Sequence, residues 1–442
     1  MMNEIATYNL GTVLRETGIN ADTLRAWERR YGLPQPKRSE GGQRLYTQHD
    51  IEIIKWLLQR QKESMRIGQA VKLWQTKRAQ GENPLRQEQP LSLISEAEST
   101  DQAYLTPFIE NWVSACLSYD EMTAEQVAND AFTHFSPEVA FTKIFLPSIR
   151  QIGELWSQGK VTVQQEHFAS ALLMRRLDAL ITTSPAPTRP EKMIVACPPK
   201  EEHTLSTLLL TFFLRRRGFQ VVYLGTNVPL AEFKETVETI QPRLILLAAQ
   251  LLTTAATLEE TIRALSPCGV TVGYSGGIFN TSPAIREHIS GEFLGASFDE
   301  VFANIEALFR KKPDKSQIEV ENPYQKLLNE FEIAHIGIHA HLNQTLSKWN
   351  FPLKSLAEST VFLSEAIAAC LYLGNLDLLQ PELDWVNTLL DHRDIKADVR
   401  IEHYLRAYAN STRETMGNLA APLVDWLEAQ SLAYAMPETK HT

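Results

Sequence analysis

The chain has 442 residues, of which 44% are hydrophobic and 22% charged, and its formal net charge is −10. That length exceeds what one hydrophobic core usually supports, so two to four globular domains are expected. No run of roughly 18 to 20 uncharged apolar residues is present, which excludes a membrane-spanning helix, and the N-terminus MMNEIATYNLG lacks the features of a secretory signal. The four cysteines are far apart and form no C-x-x-C pair, which argues against a zinc site and predicts a cytoplasmic protein.

Charge is distributed unevenly along the chain. Residues 1–80 contain 14 Lys/Arg and 8 Asp/Glu, a net charge of +6, so residues 81–442 carry −16. A basic head on an acidic body predicts a nucleic-acid contact confined to the head.

The first eighty residues predict two short helices followed by a basic hairpin. Leu10, Val13 and Leu14 form an apolar stripe, a break follows, and residues 21–31 form a second helix with Leu24 and Trp27 on its inner side. The following segment, LPQPKRSEGGQRLY, has the composition of a projecting basic loop. Helix, turn, helix and wing in this order favour DNA recognition, although a solvated helical face with a charged loop is the alternative.

This head resembles the MerR family of transcription regulators. The resemblance lies in TLRAWERRYGLPQPKR and in GGQRLYTQHD, with its R-x-Y-x-x-x-D spacing, and covers about residues 6–76. It implies a winged helix-turn-helix that binds double-stranded operator DNA as a dimer. The residues that it implies as DNA contacts are Arg25, Arg29 and Arg30 on the recognition helix, and Tyr31, Lys37, Arg38, Arg44 and Tyr46 around the wing. No Leu-rich helix with metal-binding cysteines follows, so the signal is expected to be something other than a metal.

The middle of the chain changes from helical to alternating periodicity. Residues 78–100 predict a linker, 101–183 predict a four-helix bundle with loops near 119–122, 134–137 and 159–162, and the proline-rich 182–190 predicts a second boundary. Strands then alternate with helices over 190–312, which predicts a doubly wound parallel sheet. We therefore predict domains at 1–77, 101–183, 190–312 and 323–432, a multidomain α and α/β fold.

Ligands of such sheets bind at the carboxyl ends of the strands. The first strand ends in CPPKEEHTLS, which places Glu201 and His203 at this edge. From the residues alone His203 is a general base, a metal ligand or a helix cap, and the cap is favoured. The fourth strand delivers Ser275, Gly276 and Gly277, small residues that allow a large flat ligand to approach the backbone.

This sheet resembles the cobalamin-binding domain, in which a histidine of a D-x-H-x-x-G loop coordinates cobalt from below. Here the loop is E-x-H-x-x-S, ending at Ser206, and AAQLL replaces the usual S-x-L, whereas the Gly-Gly pair is present. The resemblance implies His203 as the cobalt ligand, oriented by Glu201. It also implies further cofactor-binding residues, namely Gly225, Val228, Ser275, Gly276 and Gly277.

The bundle carries a W-x9-E-H pattern, formed by Trp156, Glu166 and His167. Together with the head and the E-x-H loop it resembles the MerR-type, cobalamin-dependent photoreceptor regulators, the CarH-like and LitR-like group, over residues 6–310. The resemblance implies adenosylcobalamin as the chromophore, with Trp156 against the adenosyl group and Glu166 and His167 as its polar partners. Ser157 replaces the histidine that typically follows the tryptophan, so the upper cobalt ligand after illumination is His167 or water.

Residues 323–432 predict an all-helical extension that the short photoreceptors lack. Leu327, Leu328, Phe331, Ile338 and Leu342 form one amphipathic face. His335, His339 and His341 crowd the same segment as candidates for a metal or a tetrapyrrole. An interaction bundle with incidental histidines is the main expectation. A second chromophore such as a bilin is the alternative, with a pocket of Cys370, Trp349, Trp385 and His403.

The sequence therefore predicts a light-responsive transcription regulator, a homo-oligomer (dimer or tetramer) and not an enzyme. Breakage of the Co–C bond by light would change its oligomeric state and its affinity for DNA. A light-independent regulator that senses cobalamin is one alternative, and the two-chromophore sensor is another. A corrinoid enzyme subunit is disfavoured by the DNA-binding head.

Overall fold

The computed structural model describes residues 8–38, 42–62, 67–79, 102–310, 322–347, 353–392 and 400–435. They belong to two compact units, 1–99 and 100–442. The predicted linker 78–100 lies outside the described residues from residue 80 onward. Within the described part of the chain, no helix is long and apolar enough to cross a bilayer.

The N-terminal unit contains the two predicted helices with well-formed ends. Asn9 and Asn20 each cap a helix N-terminus, because their side chains accept a hydrogen bond from the backbone N–H three residues on. Both helices end at a glycine in the left-handed region, Gly18 and Gly32. The elements of this unit are β1 (Tyr8–Asn9), α1 (Leu10–Thr17), α2 (Ala21–Tyr31), β2 (Lys37–Arg38), β3 (Arg44–Tyr46), α3 (Gln48–Lys62) and α4 (Ile67–Ala79).

The predicted wing is an antiparallel pair of short strands. Lys37 of β2 pairs with Leu45 of β3, and β1 pairs with the other side of β3. A core of its own, which includes Leu24 and Trp27, holds this unit together. The sequence prediction of helix, helix and wing is confirmed.

The predicted bundle follows, with its loops where the sequence places them. Its helices are α5 (Gln102–Leu117), α6 (Glu121–His134), α7 (Pro137–Val139), α8 (Leu146–Ser157) and α9 (Val163–Thr182). A π-helical segment, Ala140–Phe145, joins α7 to α8, so the third helix of the bundle contains a stretch of wider turns. Thr162 and Gln165 form a capping box that starts α9.

The sheet is five-stranded and parallel, with order β5-β4-β6-β7-β8. Its strands are β4 (Lys192–Ala196), β5 (Gln220–Gly225), β6 (Leu244–Ala248), β7 (Thr271–Ser275) and β8 (Glu292–Phe293). Its helices are α10 (Leu205–Arg216), α11 (Phe233–Ile240), α12 (Leu252–Leu265), α13 (Gly277–Thr281) and α14 (Phe298–Arg310). The sequence did not predict β8, since two residues give no periodic pattern.

The two faces of the sheet belong to two different hydrophobic cores. Met193 and Val195 of β4 pack in one core with the bundle, whereas Ile194 and Ala196 pack in the other core with α12 and the C-terminal helices. Aromatic rings connect the bundle to the sheet: Phe141 of the π-helix lies 5.9 Å from Phe212 of α10, centroid to centroid. The proline-rich segment 182–190 therefore does not separate two independent cores.

The C-terminal helices are α15 (Gln325–Leu346), α16 (Leu353–Leu373), α17 (Gln380–His392), α18 (Ile401–Met416) and α19 (Ala421–Ala435). The predicted amphipathic face of α15 is buried at all five of its positions. In the core that contains Ile194 and Ala196, α16 packs against α12 of the sheet domain. The all-helical prediction for this region is confirmed.

Candidate cofactor site and nucleic-acid interface

A buried carboxylate positions an exposed imidazole at the carboxyl edge of the sheet. Glu201 is fully buried, and its Oε1 accepts hydrogen bonds from the backbone N–H of His203 at 2.9 Å and from His203 Nδ1 at 2.7 Å. The His203 side chain is 60% exposed, and no hydrogen bond among the described residues engages its Nε2. With Nδ1 donating to the carboxylate, Nε2 keeps its lone pair and faces outward as a potential ligand.

The helix-cap interpretation of His203 is wrong. Thr204, not His203, occupies the N-cap position of α10, and it makes no side-chain capping bond. The imidazole bonds to Glu201 instead.

Two residues that the sequence did not single out complete the environment of Glu201. Its Oε2 accepts hydrogen bonds from the backbone N–H of Gln250 at 2.7 Å and from Thr254 Oγ1 at 2.6 Å. Burial by itself raises the pKa of the Glu201 carboxyl, but the bonds from His203, Thr254 and Gln250 outweigh burial and leave it below its usual value. Glu201 is therefore held as an anion.

The pKa of His203 is raised. The hydrogen bond to Glu201 is the main cause, opposed by burial, and the negative charges of Glu201, Glu166 and Glu202 add to it. Glu166 belongs to α9 of the bundle. A further contact joins bundle and sheet here, since Thr204 Oγ1 donates to Met174 Sδ of α9 at 3.4 Å.

Ser206 and Gln250 each lie where the sequence departs from the cobalamin-binding pattern, and their side chains contact each other. Gln250 Nε2 donates to Ser206 Oγ at 3.0 Å, and Gln250 Oε1 accepts from the backbone N–H of Gly277 at 2.9 Å. One amide side chain therefore connects the E-x-H-x-x-S loop, the end of β6 and the Gly-Gly turn.

Gly276 is required by the close approach of two backbone segments. Its φ is +133°, and a Cβ there would lie 1.9 Å from the carbonyl oxygen of Ala249; a Cβ at Gly277 would lie 2.6 Å from Gln250 Oε1. The glycines thus allow the ends of β6 and β7 to meet. Ser275, at the end of β7, is partly buried beside them.

Gly225 and Val228 hold the adjacent loop in place. The carbonyl of Gly225 accepts a hydrogen bond from the Cys197 N–H, and the N–H of Val228 donates to the Cys197 carbonyl. Both residues are partly buried at the end of β5, on the same edge as His203.

The W-x9-E-H residues lie at the end of the bundle, not in its core. Trp156 and Glu166 are partly buried and His167 is 75% exposed. Glu166 accepts hydrogen bonds from His167 Nδ1 and Ser170 Oγ, both at 2.7 Å. The three residues occupy the end of α8 and the start of α9. Ser157 Oγ donates to the Glu154 carbonyl at 2.8 Å.

The basic face of the head is exposed. The exposed cations among the predicted DNA contacts are Arg25, Arg29, Arg30, Lys37 and Arg38. Arg25 lies 3.6 Å from Asp22 in an exposed ion pair, which is too weak to prevent a phosphate contact. Tyr31 is partly buried against the core of the unit.

Tyr46 does not contact DNA in this arrangement, contrary to the sequence prediction. Its side chain is fully buried, and its hydroxyl donates to Glu28 Oε1 at 2.6 Å. Arg44 Nε donates to the other oxygen of Glu28 at 2.9 Å. Asp50, the last residue of the R-x-Y-x-x-x-D pattern, accepts from the N–H and hydroxyl of Thr47, both at 2.9 Å. Arg44 and Tyr46 of this pattern therefore hold the wing against α2 through Glu28, a residue that the sequence did not single out.

The histidines of the C-terminal helices bond to protein groups. His339 Nε2 lies 2.7 Å from Ser364 Oγ, His335 Nδ1 lies 2.6 Å from the Glu332 carbonyl, and His341 Nδ1 lies 3.2 Å from Thr415 Oγ1. Across the described ranges no group of three or more His, Cys, Asp or Glu residues is placed to hold a metal ion.

Three of the four residues named for a second-chromophore pocket lie in the described part of the chain. Cys370 is fully buried, and burial raises the pKa of its thiol, so it is an interior packing residue. Trp385 is exposed, His403 is partly buried, and Trp349 lies outside the described residues.

A winged helix-turn-helix with an exposed basic face and a parallel sheet with a carboxylate-held histidine define a class: DNA-binding regulators with a cofactor domain. The family model of the MerR HTH family regulatory protein matches residues 8–77, and that of the B12 binding domain matches residues 109–181. The HTH-type transcriptional repressor CarA of Myxococcus xanthus is 32% identical over 317 residues, which cover 69% of this chain and 97% of that protein. The chain belongs to this family of MerR-type transcription regulators with a B12-binding domain.

A second relative of the same kind is the HTH-type transcriptional repressor CarH of Myxococcus xanthus. It is 28% identical over 291 residues, which cover 64% of this chain and 93% of that protein. Among solved structures, the Methanosarcina barkeri monomethylamine corrinoid protein aligns with 46% of this chain and 99% of its own, with 15% sequence identity and a TM-score of 0.41.

The residues present fit a corrinoid. A histidine that would ligate cobalt needs one ring nitrogen free and the ring held in place through the other, and His203 meets both requirements through its bond to Glu201. The Gly-Gly turn keeps side chains away from the same edge.

Proposed function

We propose that the protein is a transcription regulator that binds adenosylcobalamin through His203 and changes its assembly and DNA affinity when light removes the adenosyl group. The observation that carries the proposal is the Glu201–His203 pair at the sheet edge, where the adjacent Thr204 contacts Met174 of the bundle. When bound, adenosylcobalamin supplies a Co–C bond that visible light breaks. The chain's own residues bind and orient the cofactor and report its state.

His203 is the proposed lower ligand, and Glu201 keeps its ring orientation and proton fixed. Trp156, Glu166 and His167 are the proposed contacts on the other side of the cofactor. They lie at the end of α8 and the start of α9, and α9 contacts the residue before α10 through Met174. Because Ser157 directs its hydroxyl back to its own helix, His167 is the imidazole available on that side. A ligand that bridges bundle and sheet favours one relative placement of the two, and its loss shifts that equilibrium.

The proposed DNA-binding surface is the outer face of α2 together with the wing. Arg25, Arg29 and Arg30 project from α2, and Lys37 and Arg38 lie on β2. Five exposed cations on one unit suit phosphate contacts, which supply most of the salt-dependent affinity. We propose a dimer as the binding species, one helix-turn-helix per half-site.

Arg29→Ala is expected to weaken operator binding and reduce the slope of log affinity against log salt by about one. The reason is the loss of one phosphate contact from the exposed side of α2. The measurement is a fluorescence-anisotropy titration at several salt concentrations, with Lys234→Ala, an exposed cation of α11, as the matched control. An Arg29 variant with the wild-type slope and affinity would remove this residue from the interface.

The light response is tested by size-exclusion chromatography of the full chain with adenosylcobalamin, in the dark and after green light. The wild type is expected to change its elution volume. Trp156→Ala is expected to bind cobalamin but to show a smaller change, because the packing that couples the upper ligand to the bundle is lost. Trp385→Ala removes an exposed tryptophan of α17 and serves as the control.

Two outcomes would contradict the proposal. A wild type that binds the cofactor but elutes identically in dark and light is a cobalamin sensor without light response. A Trp156 variant with the full wild-type change excludes the role of that tryptophan.

A further inference from the structure

The helix α16 runs alongside α12 in the same direction. Near the amino edge of the sheet, Tyr372 of α16 lies under the guanidinium of Arg263 of α12, at 5.9 Å from its ring centroid, and Asn375 Nδ2 lies 3.4 Å from His288 Nε2. Near the carboxyl edge, Glu365 Oε1 pairs with Lys200 Nζ at 3.2 Å. Lys200 belongs to the loop that carries Glu201 and His203. The helix α16 therefore reaches the carboxyl edge of the sheet, where the cofactor is proposed to bind and which is called the cofactor edge below.

The helix α16 is longer than its neighbour, and the excess lies at the cofactor edge. It has 21 residues and α12 has 14, and the two helices are level near their C-terminal ends. At 1.5 Å per residue, the seven extra residues extend about 10 Å beyond the first residue of α12. That first residue, Leu252, follows Gln250 and Leu251 directly at the end of β6.

The side of α16 that carries Glu365 and Tyr372 becomes apolar and exposed at the level of the first turn of α12. Glu365 and Tyr372 mark that side, and Phe362 and Val361 precede Glu365 by three and four residues, which places them on the same side. Phe362 is 38% and Val361 49% exposed. Leu251, at the edge of the sheet itself, is 40% exposed.

The cofactor edge therefore lies between two helical walls. On one side, α9 of the bundle contacts the start of α10 through Met174 and Thr204. On the other side, α16 rises beside α12. His203 lies in the loop between these two contacts, those of Lys200 and Thr204, and its side chain is 60% exposed.

We propose that α16 of the C-terminal helices forms the second wall of the cobalamin site, with Phe362 and Val361 packed against the rim of the corrin ring. The inference rests on the proposed cofactor and deepens it. The rim of a corrin carries methyl groups, which suit these two apolar side chains, and amide arms, which suit the Lys200–Glu365 pair. The C-terminal helices thereby contact the same ligand as the bundle and sense its presence directly.

The test is an absorbance titration of the full-length apoprotein with hydroxocobalamin. Phe362→Ala is expected to lower the affinity by about tenfold while keeping the histidine-ligated spectrum, because His203 is intact and only rim packing is lost. Ile336→Ala is the matched control: this residue is 71% exposed on α15 of the same helical region. Its affinity is expected to equal that of the wild type.

Hydrogen exchange of the wild type supplies a second readout that does not depend on a variant. Backbone amides of residues 353–364 are expected to exchange more slowly after hydroxocobalamin is added, whereas those of α19 are not. Wild-type binding with an unchanged Phe362→Ala affinity and unchanged exchange in 353–364 would overturn the second wall alone. A wild type that binds no cobalamin would overturn the proposed function, and this wall with it.

Discussion

His203→Ala is expected to abolish the histidine-ligated absorbance spectrum of bound cobalamin and to lower the affinity by on the order of a hundredfold. A buried carboxylate holds this imidazole through one nitrogen, and no hydrogen bond among the described residues engages the other. The measurement is a spectral titration of apoprotein with hydroxocobalamin in the dark. His341→Ala, which removes an exposed histidine of α15, is the control and should titrate as the wild type does.

The pH dependence of cobalamin affinity distinguishes ligation of cobalt by His203 from packing contacts alone. The pKa of His203 is raised above 6.5, chiefly by its bond to Glu201, so a proton competes for the imidazole at higher pH than usual. Wild-type affinity should therefore fall as the pH drops through that raised pKa. The alanine variant should show no such fall, and a variant spectrum identical to the wild type would mean that another group ligates cobalt.

Glu201→Ala is expected to lower the free energy of unfolding of the apoprotein by about 3 kcal/mol at pH 7, because buried donors of three residues lose their acceptor. These donors are the backbone N–H of His203, the backbone N–H of Gln250 and the hydroxyl of Thr254. Urea unfolding followed by circular dichroism measures the change. Glu202→Ala removes the exposed neighbouring carboxylate and should cost far less.

The loss of unfolding free energy caused by Glu201→Ala should become smaller at acidic pH. The folded-state pKa of Glu201 is lowered below 4.5, so its contribution to stability is present above the unfolded pKa and is lost as pH falls through the folded pKa. A difference in unfolding free energy that stays constant from pH 7 to strongly acidic pH would contradict the anionic state of this carboxyl.

The local features of the fold were predictable from the sequence because they depend on neighbours along the chain. The bounds of α2 were predicted as observed, since Asn20 and Gly32 mark its ends through capping and a left-handed turn. The bundle loops and the alternation of strands and helices followed from hydrophobic periodicity in the same way.

Features set by distant residues were not predictable. Thr254 meets Glu201 across 53 residues, and Gln250 meets Ser206 across 44, and neither pairing leaves a periodic signal. Tyr46 is buried with its hydroxyl bonded to Glu28, 18 residues away. A residue that was predicted to contact DNA therefore forms a hydrogen bond inside the unit. For β8, two residues are too few to carry any pattern.

The division of β4 between two cores has a thermodynamic consequence. Adjacent residues of this one strand belong to the bundle core and to the core of the C-terminal helices, so both cores depend on the same sheet. Residues 102–435 should unfold in one cooperative transition, and the N-terminal unit, with its own core, in a separate one. A ligand that binds at His203 at a hundred times its dissociation constant would raise the stability of the first transition by about 2.7 kcal/mol and leave the melting of the DNA-binding unit unchanged.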